Sequence, residues 1–318
     1  MSTASCVSFA NRHGHMLHGV LHAPAADVAR GVCILMLSPG IKGRIGPHRL
    51  YLKLAERFVP MGFHLLRFDF HGLGDSEGDL DEDVLADVYN SIQGGRYVHD
   101  TIDAMDWLHA RHGIGRFVGS GLCGGSITAL LAAVKDTRIN ALLGIGLPVV
   151  LDGGEENWGR FLTAHQAREA RVGFFQRLVR PRSWFKFLSG RSNYRVIWRV
   201  ICEAFGFTKA LRNVTDRTGS RSPVDDTNPL FAPAFIGLLK SQRPVLLVYS
   251  GADRLQDQFE EKFAARFQDQ LGSTRTGYRI HTIAHANHIM SDPAWVEELG
   301  TVAAAWLDEI QPAGAAGT

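Results

Sequence analysis

Gly119-Ser120-Gly121-Leu122-Cys123-Gly124-Gly125-Ser126 is the stretch on which the fold of this chain turns. The apolar run at 117–119 reads as a short buried strand, and residues 127–134 continue as a helix. Between the two, Gly121, Gly124 and Gly125 bracket Cys123 in a Gly-x-Cys-x-Gly spacing. That spacing suits a sharp strand-to-helix turn holding one side chain in a strained conformation, because the backbone closes around that residue only where its neighbours lack side chains. The helix start behind such a turn supplies orphan N–H groups and a positive dipole end, which favour a thiolate and any developing negative charge. Glycines beside a cysteine also occur in ordinary strand-to-helix turns, so the pentapeptide has to be weighed with its surroundings.

Outward from this turn, apolar runs alternate with helical patterns. Residues 4–10 and 16–22, separated by Asn11-Arg12-His13-Gly14, read as an opening hairpin. A strand at 32–37 ends at Ser38-Pro39-Gly40, and 50–58 carries apolar residues at helical spacing until Pro60 and Gly62 stop it. A strand at 63–70, a helix at 98–112 and a strand at 139–147 follow. After Pro148 the pattern breaks, then resumes with a strand at 245–249, a helix around 259–267, a strand at 278–283 and a final helix at 293–310. The alternation predicts an α/β fold with a mostly parallel sheet of about eight strands, covered by helices on both faces. The predicted organisation is a core at 1–150 and 229–311, a helical cap inserted at 151–228, and a flexible tail at 312–318.

Composition supports a packed core. Of 318 residues, 45% are apolar and 21% charged, and the net charge of +2 points to no particular partner. The N-terminal residues lack a basic stretch followed by an apolar core, and no run approaches a membrane span, so a cytoplasmic location is expected. Cys6, Cys33, Cys123 and Cys202 lie far apart without a Cys-x-x-Cys pair, which argues against zinc or a disulfide framework; no cofactor is expected. Cys33, in an apolar strand, reads as a small core residue, as do Cys6 and Cys202.

Two late loops complete the pattern: Ser250-Gly251-Ala252-Asp253 after one strand and His285-Ala286-Asn287-His288 after the last. Together with Ser38-Pro39-Gly40, the turn at 67–78 and Gly121 to Gly125, they resemble the α/β-hydrolase superfamily over nearly the whole chain apart from the cap. The 67–78 turn combined with a Gly-Leu-Cys elbow is similar to the hydrolases associated with the exosortase A system. Dienelactone hydrolase, which resembles the chain more distantly and lacks so long a cap, also uses a cysteine in this fold. The resemblance implies a catalytic triad in the chain order nucleophile, acid, base, filled by Cys123, Asp253 and His288. His285 is the alternative base, and Asp257 or Asp152 the alternative acid. The fold's oxyanion hole would use the backbone N–H groups of Ile41 and Gly124, since Pro39 has none. The chain departs from the superfamily pattern twice, with Pro39-Gly40 for the usual His-Gly and Cys123 for the usual serine. The 67–78 turn reads as a hydrogen-bonded brace at the sheet edge, and His281, within a strand, as structural.

Residues 160–221 hold fourteen Lys and Arg against three acids, interleaved with Phe174, Phe175, Trp184, Phe185, Phe187, Trp198, Phe205 and Phe207. The segment reads either as a lid with solvated arginines or as an apolar acyl tunnel with a basic rim for a coenzyme A or acyl-carrier-protein thioester. Arg191, Arg195, Arg199, Trp184 and Trp198 are the candidate substrate contacts. Nucleic acid ranks last, for want of any binding motif. Three functions are therefore expected in descending order: an esterase or thioesterase with an acyl-cysteine intermediate, an acyltransferase on the same machinery, and a non-catalytic binding protein on this fold.

Overall fold

The computed structural model describes residues 2–80, 82, 85–151, 226–272 and 277–312. These residues, apart from Asp226, belong to one compact unit, 1–157 with 227–318; the second unit, 158–226, is otherwise outside the described residues. In chain order the elements are β1 (Thr3–Ala10), β2 (Met16–Ala23), β3 (Val32–Leu37), α1 (Leu50–Phe58), β4 (His64–Phe68), α2 (Leu85–Gln93), α3 (Val98–His112), β5 (Arg116–Leu122), α4 (Gly124–Lys135) and β6 (Ile139–Ile145). There follow α5 (Phe231–Lys240), β7 (Val245–Ser250), α6 (Leu255–Gln258) running into a π-helical turn, α7 (Gln268–Leu271), β8 (Tyr278–Ile283) and α8 (Pro293–Ile310).

The eight strands form one sheet in the order β1-β2-β4-β3-β5-β6-β7-β8. Antiparallel pairing is confined to β1–β2 and β2–β4, and every later pair is parallel. The central strands β3, β5, β6 and β7 are buried along nearly their whole length because both faces are covered. Along β3, Val32, Ile34 and Met36 face a core built with α1 and α8, while Cys33, Leu35 and Leu37 face one built with α2 to α5. Helix α4 is buried over residues 124–133, which fits its position directly behind the central strand β5.

Three sequence expectations need correction. Strand β5 runs three residues beyond 119 on its way into the turn, and α4 starts at Gly124, before its first apolar residue. Helices α2 and α5 lie in stretches without a predicted helix. Cys6 is exposed rather than in the core, because β1 is an edge strand exposed along most of its length. Cys33 is fully buried as expected, and burial pushes its thiol up to about 12. Among the described residues, no helix is long and apolar enough to cross a membrane. Cys202 and residues 313–318 lie outside them.

Candidate active site

Strand β5 delivers Cys123 to the carboxyl end of the sheet, the end at which open α/β sheets bind ligands. Cys123 sits at the N-cap of α4 with φ 52° and ψ −113°, a conformation rare for a residue with a Cβ. The glycines around it are needed for close approach. A Cβ on Gly121 would lie 2.9 Å from the Leu37 carbonyl oxygen, and one on Gly124 2.8 Å from the Gly40 nitrogen. The turn is fixed from behind: the Cys123 N–H donates to the Ile145 carbonyl at 2.9 Å, and Ser126 N–H and Oγ donate to the Cys123 carbonyl at 2.9 and 2.7 Å.

Across the elbow, the loops after β7 and β8 bring two predicted residues together. His288 Nδ1 lies 3.0 Å from Asp253 Oδ2, and Asp253 Oδ1 accepts from the Leu255 N–H at 3.0 Å. The loops are stitched to one another: Ser250 Oγ donates to the Asn287 carbonyl at 3.0 Å, and the Ala252 N–H to the Ala286 carbonyl at 3.0 Å. Asn287 braces its own loop through Ser291, donating from Nδ2 to Oγ at 2.7 Å. Beneath the imidazole is Gly146, with φ 54°; a Cβ there would lie 3.4 Å from His288 Cε1. Burial pulls the His288 pKa down, but the charge of a Cys123 thiolate, hydrogen bonds to Asp253 and Cys123, and the charge of Asp253 outweigh it and raise it to about 10.

The alternatives sit elsewhere. His285 is exposed with φ 61°, Asp257 is exposed on α6, and Asp152 lies outside the described residues. His281 meets Glu298 Oε1 at 2.8 Å on the surface.

The loop after β3 approaches the elbow from the other side. The Lys42 N–H donates to the Pro39 carbonyl at 3.2 Å, and the Ser126 and Ile127 N–H groups donate to the Cys123 carbonyl at 2.9 and 3.2 Å, closing the first turn of α4. Tyr89 and Ile92 of α2 pack on this corner: Cβ atoms on Gly40 and Gly124 would lie 2.8 Å from Tyr89 Cε1 and 3.2 Å from Ile92 Cγ2. The 67–78 turn anchors the same loop. Buried Asp69 accepts from the Arg44 backbone N–H at 2.6 Å and pairs with the Arg44 guanidinium, which also reaches Asp75 at 2.6 Å. Sequence reasoning read that turn as an edge brace without seeing that it holds the loop beside the elbow; the signal available was its pair of aspartates.

Where the chain leaves for residue 152 and returns, Val150 and Thr227 form an antiparallel bridge, and Asn228 Nδ2 donates to the Gln93 carbonyl at 2.8 Å. Arg191, Arg195, Arg199, Trp184 and Trp198 lie outside the described residues. Among the described residues, no His, Cys, Asp and Glu side chains cluster as a metal ion requires.

No curated protein matches the sequence. Solved structures do match in fold. An α/β serine hydrolase without lid from Xanthomonas campestris is 13% identical, with 98% of this chain and 96% of that chain covered and a TM-score of 0.53. The esterase domain of a Rhodothermus marinus protein is 15% identical over 96% and 99% of the two chains, with a TM-score of 0.53. An esterase from Pyrococcus furiosus is 14% identical over 96% and 92%, with a TM-score of 0.55. The profile of the alpha/beta hydrolase family spans residues 35–299, taking in the elbow, the Asp253 loop and the His288 loop, and the chain belongs to that family.

Proposed function

We propose that the protein hydrolyses an ester or thioester through an acyl-cysteine intermediate on Cys123. The observation that carries this reading is a single imidazole, His288, hydrogen-bonded both to Asp253 and to a thiol held at a strained elbow. A nucleophile needs a base that takes its proton, and the base needs a carboxylate that fixes its tautomer and stabilises imidazolium. The Cys123 sulfur attacks the acyl carbonyl, and the carbonyl π electrons move to oxygen. Ile41 and Gly124 N–H groups hold that oxyanion. As the carbonyl re-forms, the bond to the leaving group breaks and His288 passes its proton to the departing oxygen or sulfur. His288 then takes a proton from water, which attacks the thioester; the second collapse frees the acid and returns the proton to the thiol.

The leaving group in this reading is carried on phosphopantetheine, as in coenzyme A or an acyl carrier protein. The support is the fourteen-to-three excess of basic over acidic residues at 160–221, a field that attracts phosphate or an acidic carrier.

The experiment is intact-protein mass spectrometry after mixing with a panel of acyl thioesters. An acyl adduct that maps to Cys123, is absent from Cys123→Ala and decays to free acid is the expected result. An adduct elsewhere, or turnover by Cys123→Ala, would overturn the nucleophile assignment. An adduct that persists in water and discharges only onto an added amine or thiol would make the protein an acyltransferase.

A further inference from the structure

Tyr51, the second residue of α1, is fully buried and contributes its ring to the core that α1 and α8 share. A buried phenol needs hydrogen-bond partners for its oxygen, and here both are backbone groups of the central sheet. The hydroxyl donates to the Leu37 carbonyl at 2.7 Å and accepts from the Leu122 N–H at 2.8 Å. Leu37 is the last residue of β3 and pairs with Gly121; Leu122 is the last residue of β5, immediately before Cys123. One hydroxyl thus bridges the two strands where their pairing ends and the elbow begins, satisfying a carbonyl and an N–H that burial would otherwise penalise.

The approach to Tyr51 is itself constrained. His48 and Arg49, just before α1, have φ of 49° and 61°, costly for residues with side chains, and Gly46, with φ 69°, sits where a Cβ would be 3.3 Å from the Tyr51 ring. Two strained residues and a required glycine lie in the five residues that lead into Tyr51. Burial raises the phenol far above its ordinary range, with the charge of a Cys123 thiolate adding to the shift, so the hydroxyl stays protonated and keeps both bonds.

We infer that Tyr51 is a positioning residue: by clamping Leu122 to Leu37 it fixes the backbone on which Cys123 is strained, and so aims the sulfur at His288 and at the acyl carbon. The inference rests on the proposed role of Cys123 and predicts a fault in reactivity rather than in binding. Misplacing a reacting atom costs rate while substrate contacts persist.

The test compares wild type with Tyr51→Phe, which removes one oxygen and keeps the ring. The measurements are kcat, KM and the second-order rate of iodoacetamide labelling at Cys123 between pH 5 and pH 10, with exposed Cys6 as internal control. The expected result is about a tenfold or greater loss in kcat and in Cys123 labelling, with KM within about twofold and Cys6 labelling unchanged. Unchanged Cys123 labelling in a folded Tyr51→Phe protein would overturn the inference alone. Turnover by Cys123→Ala would instead overturn the nucleophile role, leaving the labelling comparison to report on the elbow. Should Tyr51→Phe fail to fold, p-aminophenylalanine at position 51, which keeps a donor and an acceptor in place, carries the test. Labelling of Cys123 within about threefold of wild type supports the clamp, and a tenfold loss in that folded variant would overturn it.

Discussion

Among the described residues, two histidine–aspartate pairs have similar contact distances, and one of them stands beside a cysteine. His288 Nδ1 lies 3.0 Å from Asp253, and His71 Nδ1 lies 2.8 Å from Asp100. Asp100 is almost completely buried, and it also accepts from the Asn11 side-chain amide and the His71 N–H, each at 2.9 Å. The His71 ring packs edge-on against Tyr97 and stacks with His15. That pair fastens the β1–β2 turn and the 67–78 turn to the first turn of α3. Around His288 the arrangement differs: its carboxylate partner sits on a loop, and the other side of the ring meets a thiol at the end of the central strand. A histidine held by a carboxylate is a common structural clamp. In the proposed reading, what gives the His288–Asp253 pair a chemical use is the third group, Cys123, which the strained turn places.

The comparison is broken most directly by removing each imidazole. His288→Ala should lower kcat/KM by at least about 10³-fold, comparable with Cys123→Ala, because triad members act as one unit. His71→Ala should leave kcat/KM within about threefold and lower the unfolding midpoint, since it strips a partner from a buried carboxylate. Matched kinetics and thermal denaturation of the two variants check both halves. A large loss of activity in His71→Ala would mean that the 67–78 turn reaches the chemistry through the Arg44–Asp69 link.

The carboxylates sharpen the contrast in pH. Asp253 is one of the groups that raise the His288 pKa to about 10, so wild-type kcat/KM should fall only as pH rises through that value, where the ring loses its proton. Asp253→Asn removes that support: the descending limb should move to lower pH, and the plateau should drop by about 10² to 10⁴-fold as the tautomer is lost. The stability contributed by protonated His288 runs the same way, complete below the ordinary histidine value near 6.5 and lost as pH rises through about 10. For Asp100 the sign reverses. Burial opposes its ionisation, but the bonds from His71 and Asn11 hold its pKa below the usual carboxylate value, so its contribution is present above about pH 4 and lost as pH falls. Asp100→Ala should cost about 3 to 5 kcal/mol in denaturant unfolding at pH 7 and leave the pH profile of activity in place.

Smaller effects are expected where the sequence left alternatives open. His285→Ala and Asp257→Asn should each change kcat/KM by less than about threefold, because both side chains are exposed. Steady-state kinetics on the two variants suffices, and a loss above tenfold in His285→Ala would reverse the base assignment.

These residues also show how far the sequence could be read. The strand–helix alternation made the sheet visible, since apolar runs bounded by Gly and Pro are a local signal, and the glycines around Cys123 marked the turn. Asp253 and His288 were singled out by the resemblance, whose chain order of nucleophile, acid and base the two late loops fill. Other features depend on contacts that have no local signature. The Tyr51 hydroxyl sits 71 positions before the N–H it accepts from, and the Asp69–Arg44 pair spans 25. Helix α2 was missed because its apolar residues are few and interleaved with Asp87, Asn90 and Ser91, although Val88 and Ile92 are buried. Cys6 was misread because burial of a strand residue depends on what covers the sheet, and β1 is at its edge.

The smallest effect on kcat is expected from the basic segment, whose proposed role is confined to KM. If the acyl group arrives on phosphopantetheine, Arg191, Arg195 and Arg199 contribute attraction at a distance and take no part in bond breaking. Their spacing of four places them on one side of any helix that spans them, so replacing all three with glutamate changes one patch by six charges. KM for coenzyme A or carrier-protein thioesters should rise about tenfold, while kcat and the hydrolysis of small neutral esters stay within about twofold. The same loss should be reproduced in wild type by salt, because exposed charges are screened over roughly 10 Å at 0.1 M ionic strength. Kinetics with both substrate classes at low and high salt separates the outcomes. Equal losses on neutral and phosphate-bearing substrates would trace the effect to folding of the segment. No loss on either would mean that these arginines are solvated and that the leaving group is recognised elsewhere.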